Sequence, residues 1–363
     1  MNLFDYVRPA TLGEALGAAA HPGAAVLAGG TNLVDLMKAG VARPERIVDI
    51  SRLPGLSEIE TLEDGAIRIG ALVGNAALAR HPAVKAAAPA VAEAVLAGAS
   101  AQLRNKASVG GNLLQATRCA YFGDPASACN RRAPGSGCDA KGGDRRGHAV
   151  LGWSDACSAT NPSDLLVPLA ALGAVVEIAG QDGTREVPVA EFHTLPGADG
   201  DAGGPQLRRG EIVTAVRLPA DAARFAAASR YVKVRERTSF AFALVSAAAA
   251  LDIEDGTIRA ARLALGGVAA RPWRAAEAEA ALTGKAPDAA VFQAAAEAAM
   301  AHARPSDDDN AFKIALAVRV AVRALTLAAK GTPERMPALP ASVFAPTLST
   351  PTPSAPSFQG TAR

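Results

Sequence analysis

Residues 102–164 read QLRNKASVGGNLLQATRCAYFGDPASACNRRAPGSGC, then DAKGGDRRGHAVLGWSDAC, then SATNPSD. All four cysteines of the chain, Cys119, Cys129, Cys138 and Cys157, fall in this stretch, directly behind the doublet Gly110-Gly111. Four thiols confined to about a tenth of the chain point to one site that uses them all. Their intervals lack the short C-x2-C pairs of zinc ribbons, which places an iron–sulfur cluster ahead of zinc and leaves disulfides or unrelated thiols open beside them. Gly, Pro, Asp, Asn and Ser dominate between the cysteines, so the segment reads as loop. A loop of this length inside a compact domain needs something to order it, and thiolate ligation can replace a missing apolar core. His148 reads as a surface loop histidine.

Upstream, Thr11 and Glu14 form a capping box for a helix that ends near His21-Pro22-Gly23. Val26-Leu27-Ala28 reads as a short buried strand running into Gly29-Gly30-Thr31-Asn32, with a helix over 33–38 and a strand over 46–50. This is a βαβ unit with a glycine-rich corner, where free N–H groups face an anion and glycine lets the backbone approach a pyrophosphate. Taken alone, the corner reads more simply as a plain Gly-Gly turn, and G-x-G-x-x-G is absent. Ala107-Ser108-Val109-Gly110-Gly111-Asn112 repeats the pattern, so two corners are placed to grip one extended dinucleotide from two sides.

Alternation over 65–74 predicts a strand, and 89–98 a helix with an alanine face. After the cysteine loop, Asn161-Pro162-Ser163-Asp164 caps a helix over 165–172, and Asp164 reads as its N-cap rather than a ligand contact. Strands follow over 174–179, 186–189 and 211–219, the last closing this domain, with an exposed loop over 196–205. A further domain begins near Ser229 with strands over 230–235, 240–253 and 258–265, turning at Gly256, and helices over 287–303 and 310–330, the second capped by Asp307-Asp308-Asp309. Residues 333–363 are Pro, Ser, Thr and Ala without period and read as a flexible tail or docking strap. The division is 1–228 (1–58 and 59–228, with the cysteine insertion over 115–162), 229–332, and the tail.

At 363 residues the chain can bury two or three cores. A net charge of +2 with 4% aromatics, and no basic stripe, argues against nucleic acid. No apolar run reaches bilayer length, and the N-terminus lacks a secretory signal, so a soluble cytoplasmic protein, or one exported only with a partner, is expected.

LAGGTNLVDLMK, QLRNKASVGGN, NPSDLLVPLAALGA and ARLALGGVAARPWR occur in this order. Together they resemble the FAD-binding subunits of the molybdenum hydroxylases, the family of xanthine dehydrogenase, carbon monoxide dehydrogenase and aldehyde oxidoreductase, over residues 1–330. The cysteine pattern resembles the bacterial heterotrimeric aldehyde oxidoreductases whose flavin subunit carries an extra [4Fe-4S] cluster; 4-hydroxybenzoyl-CoA reductases carry one with different spacing.

The resemblance implies an α+β fold, with a two-subdomain FAD-binding domain of the vanillyl-alcohol-oxidase type and a C-terminal antiparallel sheet with helices. It implies FAD held by Val26, Leu27, Ala28, Gly29, Gly30, Thr31, Asn32 and Leu33 at the pyrophosphate. Ser108, Val109, Gly110, Gly111 and Asn112 would close over the ribityl side. Asp164 would bond a sugar hydroxyl, Val213 would pack near the flavin ring, and Lys233 would approach from the second domain; Tyr231 and Phe240 are stacking candidates. Cys119, Cys129, Cys138 and Cys157 would hold the cluster, read as structural or docking because relatives do without the insertion. No nucleophile–base pair or molybdopterin-binding set is apparent. The substrate chemistry is therefore expected on a large molybdopterin subunit, with a small [2Fe-2S] subunit relaying electrons through FAD to an external acceptor.

Overall fold

The structure is a computed structural model that describes residues 1–198 and 200–334. Most of the strap expected over 333–363 therefore lies outside the described residues.

The first lobe comprises β1 (Asp5–Val7), α1 (Leu12–Ala19), β2 (Ala24–Leu27), α2 (Leu33–Lys38) and β3 (Arg46–Asp49). Its three strands are parallel in the order β1-β3-β2. Thr11 caps α1 by accepting from the Glu14 amide, and the Glu14 carboxylate returns to the Ala10 amide. β2 is not the buried strand expected. It is an edge strand with Val26 36% exposed, because β3 takes the central, buried place.

The second lobe runs through β4 (Ile59–Thr61), β5 (Ile67–Gly70), α3 (Asn75–Arg80), α4 (Pro82–Ala87), α5 (Pro89–Ala97), α6 (Ala101–Lys106), α7 (Val109–Leu113) and α8 (Ala120–Gly123). It continues through α9 (Leu166–Ala171), β6 (Val175–Gly180), β7 (Gly183–Pro188) and β8 (Ile212–Leu218). The sheet order is β4-β5-β8-β6-β7, so β8, the last strand of this lobe in the chain, fills the middle of its sheet. That position explains its burial, which spares only Arg217: a strand covered on both faces does not alternate between core and solvent.

The C-terminal part holds β9 (Ser229–Val234), β10 (Val245–Glu254), β11 (Thr257–Gly266), β12 (Trp273–Arg274), α10 (Ala276–Leu282), α11 (Ala289–Ala299) and α12 (Phe312–Ala329). Its antiparallel sheet is ordered β12-β11-β10-β9. Asp255 and Gly256, both with positive φ, make the two-residue turn that matches strand twist. β10 begins at Val245, five residues later than expected, because 240–244 leave the sheet. Its alanines serve two cores: Ala248 and Ala250 face the second lobe, while Ala247, Ala249 and Leu251 face α12 and its neighbours. Small side chains let helices close on both faces, and that packing overrides alanine's weak strand preference.

The cysteine insertion is more firmly anchored than a solvated loop. Val150 and Leu151 are fully buried in the C-terminal core, and both amides donate to Val268 O. Asn310, itself fully buried, donates from Nδ2 to Ala149 O at 3.2 Å. The segment beyond residue 145 therefore owes its order to apolar burial of about 2 kcal/mol per side chain as well as to whatever the thiols hold.

His193 is a further buried polar group, 4% exposed, whose Nε2 donates to the α7 carbonyl of Leu113 at 2.8 Å. Burial pushes its pKa down to about 4. An imidazole depressed in the folded state costs stability as pH falls from its unfolded value toward the folded one. Between pH 7 and pH 5 the loss amounts to about 2 kcal/mol. Urea unfolding at the two pH values should show it, and His193→Gln should flatten the difference; an unchanged slope would refute the assignment.

Candidate functional site

The two glycine corners meet. Gly29 follows β2, and a Cβ built there would lie 2.2 Å from Lys106 O, at the end of α6. Only a residue without a side chain permits that approach between the lobes. In the second corner Gly110 lies against Ala71, whose carbonyl takes the Gly110 amide at 2.8 Å, and Ser108 Oγ caps α7 by accepting from the Gly111 amide. Asn112 Oδ1 accepts from Ser163 Oγ at 2.7 Å and Gln115 Nε2 at 2.8 Å, tying this corner to the chain beyond the insertion.

Between the corners opens a cavity of about 670 Å³, within the range of small-molecule and cofactor sites. Thr31, Asn32, Gly111, Asn112 and Asp164 line it together, as does Phe240 from the segment between β9 and β10. The remaining expected residues are placed differently. Val26, Leu27, Ala28, Gly29, Gly30 and Leu33 form the backbone leading in and out of the corner without lining the cavity, and Ser108, Val109 and Gly110 likewise shape the second corner. Val213 is buried in β8 within the second-lobe core and does not line the cavity.

Asp164 is not the cap of α9. Ser163 Oγ takes that role by accepting from the Leu166 amide. The Asp164 carboxylate instead accepts from Tyr231 OH at 2.6 Å and Lys233 Nζ at 2.8 Å, with both side chains reaching in from β9. Tyr231 is thereby committed: it is 4% exposed, lies outside the cavity lining, and burial beside the carboxylate pushes its phenol well above 10. A buried ion pair of this kind fixes position more than it stabilises. It holds Asp164 at the cavity wall and ties the C-terminal sheet to the second lobe.

Sequence reasoning missed Arg104, Arg118 and Asn75. Arg104 bridges the carbonyls of Leu96, Gly98 and Ala99, holding Ala99 in a left-handed conformation at the cavity edge. Arg118 lies over the Phe242 ring at 4.8 Å, and burial lowers its pKa. Asn75 opens α3, a helix too short and alanine-rich to show a period in the sequence.

The four cysteines are unpaired and line one small pocket. Cys129 and Cys138 face each other across an isolated antiparallel bridge, and the Ala159 amide donates to Cys157 Sγ at 3.5 Å. Burial pushes the Cys119 and Cys138 thiols up, and thiols across the pocket add to the shift. Among the described residues, no three His, Cys, Asp or Glu side chains stand close enough to share one metal ion. His148 is not the surface residue expected: it is 7% exposed and bonded through Nδ1 to Ser158 Oγ at 2.9 Å. Thr117, Cys119 and His148 line both this pocket and the larger cavity.

A cavity between two glycine corners, lined also by residues 236–237 and 240–244, has the form of a site for an extended dinucleotide. The chain's relatives specify which. Residues 2–221 match the family model "FAD binding domain in molybdopterin dehydrogenase", and residues 230–328 match the CO dehydrogenase flavoprotein C-terminal domain. The aldehyde oxidoreductase FAD-binding subunit PaoB of Escherichia coli is 46% identical over 321 residues, 88% of this chain and 96% of that protein. The carbon monoxide dehydrogenase medium chain of Hydrogenophaga pseudoflava is 29% identical over 333 residues, 90% of this chain and 96% of that one. The solved carbon monoxide dehydrogenase from Hydrogenophaga pseudoflava superposes with a TM-score of 0.70 at 28% identity, covering 91% of this chain and 98% of that chain. Quinoline 2-oxidoreductase of Pseudomonas putida 86 gives 0.69 at 26%, covering 91% and 99%. The chain belongs to the family of FAD-binding subunits of the molybdenum hydroxylases, and its α+β fold is theirs.

FAD fits the residues present: the carboxamide of Asn75, at the cavity wall, makes no hydrogen bond to any described residue. No helix among the described residues is long and apolar enough to cross a membrane.

Proposed function

We propose that this chain is the flavin subunit of a molybdenum-dependent aldehyde oxidoreductase, working beside a large molybdopterin subunit and a small [2Fe-2S] subunit. The observation that carries the reading is 46% identity across 96% of an aldehyde oxidoreductase FAD-binding subunit. FAD, when bound, accepts and releases electrons singly or in pairs, which suits a junction between iron–sulfur relays and an external acceptor. The protein's part is placement. Gly29 and Gly110 allow close backbone approach, Asn112 joins the second corner to Ser163, and the Asp164–Lys233 pair sets the wall facing the C-terminal domain. The domain division near residue 229 belongs to the same proposal.

We further propose that Cys119, Cys129, Cys138 and Cys157 hold a [4Fe-4S] cluster. Four free thiols around one pocket suit it, and thiols lining a pocket rather than meeting at a point favour a cluster over a single zinc ion. Because Cys119 also lines the FAD cavity, a cluster in electronic contact with the flavin is favoured over one that only pins the loop. Two alternatives, a flavin subunit of the 4-hydroxybenzoyl-CoA reductase kind and a non-enzymatic binding protein whose four thiols hold zinc, are not favoured beside these relatives.

The test is anaerobic purification with a visible spectrum and iron and zinc assays on one sample. Flavin bands over a shoulder at about 400 nm, with about four irons per chain, are expected. Cys157→Ser should lose the iron and keep most of the flavin. One zinc without iron would sink the cluster, and aldehyde turnover by the chain alone would sink the subunit reading. A cluster that stays oxidised while substrate reduces the flavin would restore the purely structural role.

A further inference from the structure

Asn75 is 5% exposed, yet its carboxamide makes no hydrogen bond to any described residue, and its Oδ1 is a buried acceptor without a donor. Folded chains seldom tolerate this, because an unpaired buried amide forfeits its bonds to water and gains nothing in exchange. The Nδ2 end of the same carboxamide is unbonded too and is not enclosed, so a ligand in the cavity can take its hydrogens.

The surroundings place that ligand. The Asn75 amide donates to Ala107 O at 2.9 Å, and Gly74 forms an isolated bridge with Ser108. Lys106 O is the atom against which Gly29 packs. Asn75 therefore stands where the two glycine corners come together, and it lines the FAD cavity. Open helix N-termini and glycine backbone at the two corners suit the anionic centre of the dinucleotide rather than either ring system. Oδ1 is the enclosed end of the carboxamide, so Nδ2 is the end turned to the cavity. It can only donate. At the centre of FAD the acceptors are the pyrophosphate oxygens.

We propose that Asn75 is a further FAD-binding residue whose Nδ2 donates to the pyrophosphate. The chain accepts an unpartnered amide before FAD binds so that the donor is in place when the cofactor arrives. The inference rests on FAD as the cofactor and on neither the aldehyde nor the cluster.

The residue's cost to the flavin-free chain and its value to the loaded one have opposite signs, which separates binding from structure. The flavin-stripped full-length chain is used for FAD titration by flavin fluorescence and for thermal melts with and without FAD. Asn75→Leu removes the unpaired amide, so the flavin-free chain should melt at an equal or higher temperature while FAD binds about tenfold more weakly. Asn75→Asp replaces the donor with a carboxylate facing the pyrophosphate and should bind FAD more weakly than Asn75→Leu. Unchanged FAD affinity in Asn75→Leu would overturn the proposal. So would equal losses of melting temperature with and without FAD, the mark of a structural residue. Affinity restored in Asn75→Asp would overturn the donor assignment, since only an acceptor role survives that change. If the wild-type chain fails to take up FAD, it is the family reading that falls.

Discussion

Gly29→Ala should leave the protein nearly free of flavin and lower its melting temperature. The new Cβ would sit 2.2 Å from Lys106 O, 3.1 Å from Lys106 C and 3.3 Å from Ala107 Cα. All three are backbone atoms, so no side chain can swing aside, and one corner must move by about an ångström to restore an ordinary separation. That approach joins the first lobe to the end of α6, two residues before the Ser108 cap of α7. The shift therefore pulls the two corners apart at the middle of the cavity. Overpacking costs about 1–3 kcal/mol. A displaced corner also no longer reaches the cofactor, so FAD binding should weaken roughly 100-fold. Gly13→Ala is the control, because Gly13 lies in α1 with nothing within 4 Å of its Cβ position. It should stabilise by about 0.5–1 kcal/mol and keep its flavin. The flavin-to-protein absorbance ratio and a thermal melt suffice; flavin retained in full by Gly29→Ala would refute the close approach.

The parts of the site legible in the sequence are those where backbone geometry dictates residue type. Gly29, Gly110 and the Ser108 cap are such places, because few residues satisfy a close approach or an open helix end. The Asp255-Gly256 turn and the α1 cap were readable for the same reason. Where one residue type serves several ends, the sequence misleads. Asp164 has the right type and position for an N-cap, but Ser163 beside it suffices, and the carboxylate is drawn to Lys233 and Tyr231, which come from 67 or more positions away. His148 looks solvated because its neighbours are polar, yet α12 and the turn at Gly267 close over it.

Alanine hides the remainder. Helices α3 and α4 are six residues each and rich in alanine, so no stripe marks a face, while α6 is six mostly polar residues with none buried. Strands β1 and β4 have three residues each, too few to show a period. Asn75 could have been noticed only as the single uncharged polar side chain between Gly74 and Arg80. What made it a candidate was the missing partner, which belongs to tertiary structure.

Lys313→Met should destabilise the protein more strongly at pH 9 than at pH 6. Lys313 lies in α12, fully buried, and its Nζ donates to Gly147 O at 3.0 Å, His148 O at 2.7 Å and Gly267 O at 2.6 Å. Methionine keeps the length but leaves these carbonyls without a donor, at about 1–3 kcal/mol for each one that water cannot reach. Against this stands the cost of burying the charge, which pushes the lysine pKa from 10.5 down to about 7. The unfolded chain then holds more protons than the folded one between pH 7 and 10.5, so wild-type stability rises across that window. The variant lacks the group and its slope. At pH 6 relief of the buried charge offsets much of the lost bonding, whereas at pH 9 the neutral amine carries little such penalty and the loss should reach about 3 kcal/mol. Urea melts at both pH values measure it, and a loss equal at the two would show that the charge is not desolvated. The damage should also be local. Lys313 ties residues 147–148, from the wall shared by the FAD cavity and the cysteine pocket, to the turn that follows β11. Its removal should speed hydrogen exchange at the Val150 and Leu151 amides, which donate to Val268 next to that turn. Exchange there should rise well before that of the Ala248 and Ala250 amides in β10, because the joint opens while the sheet beneath it stays closed.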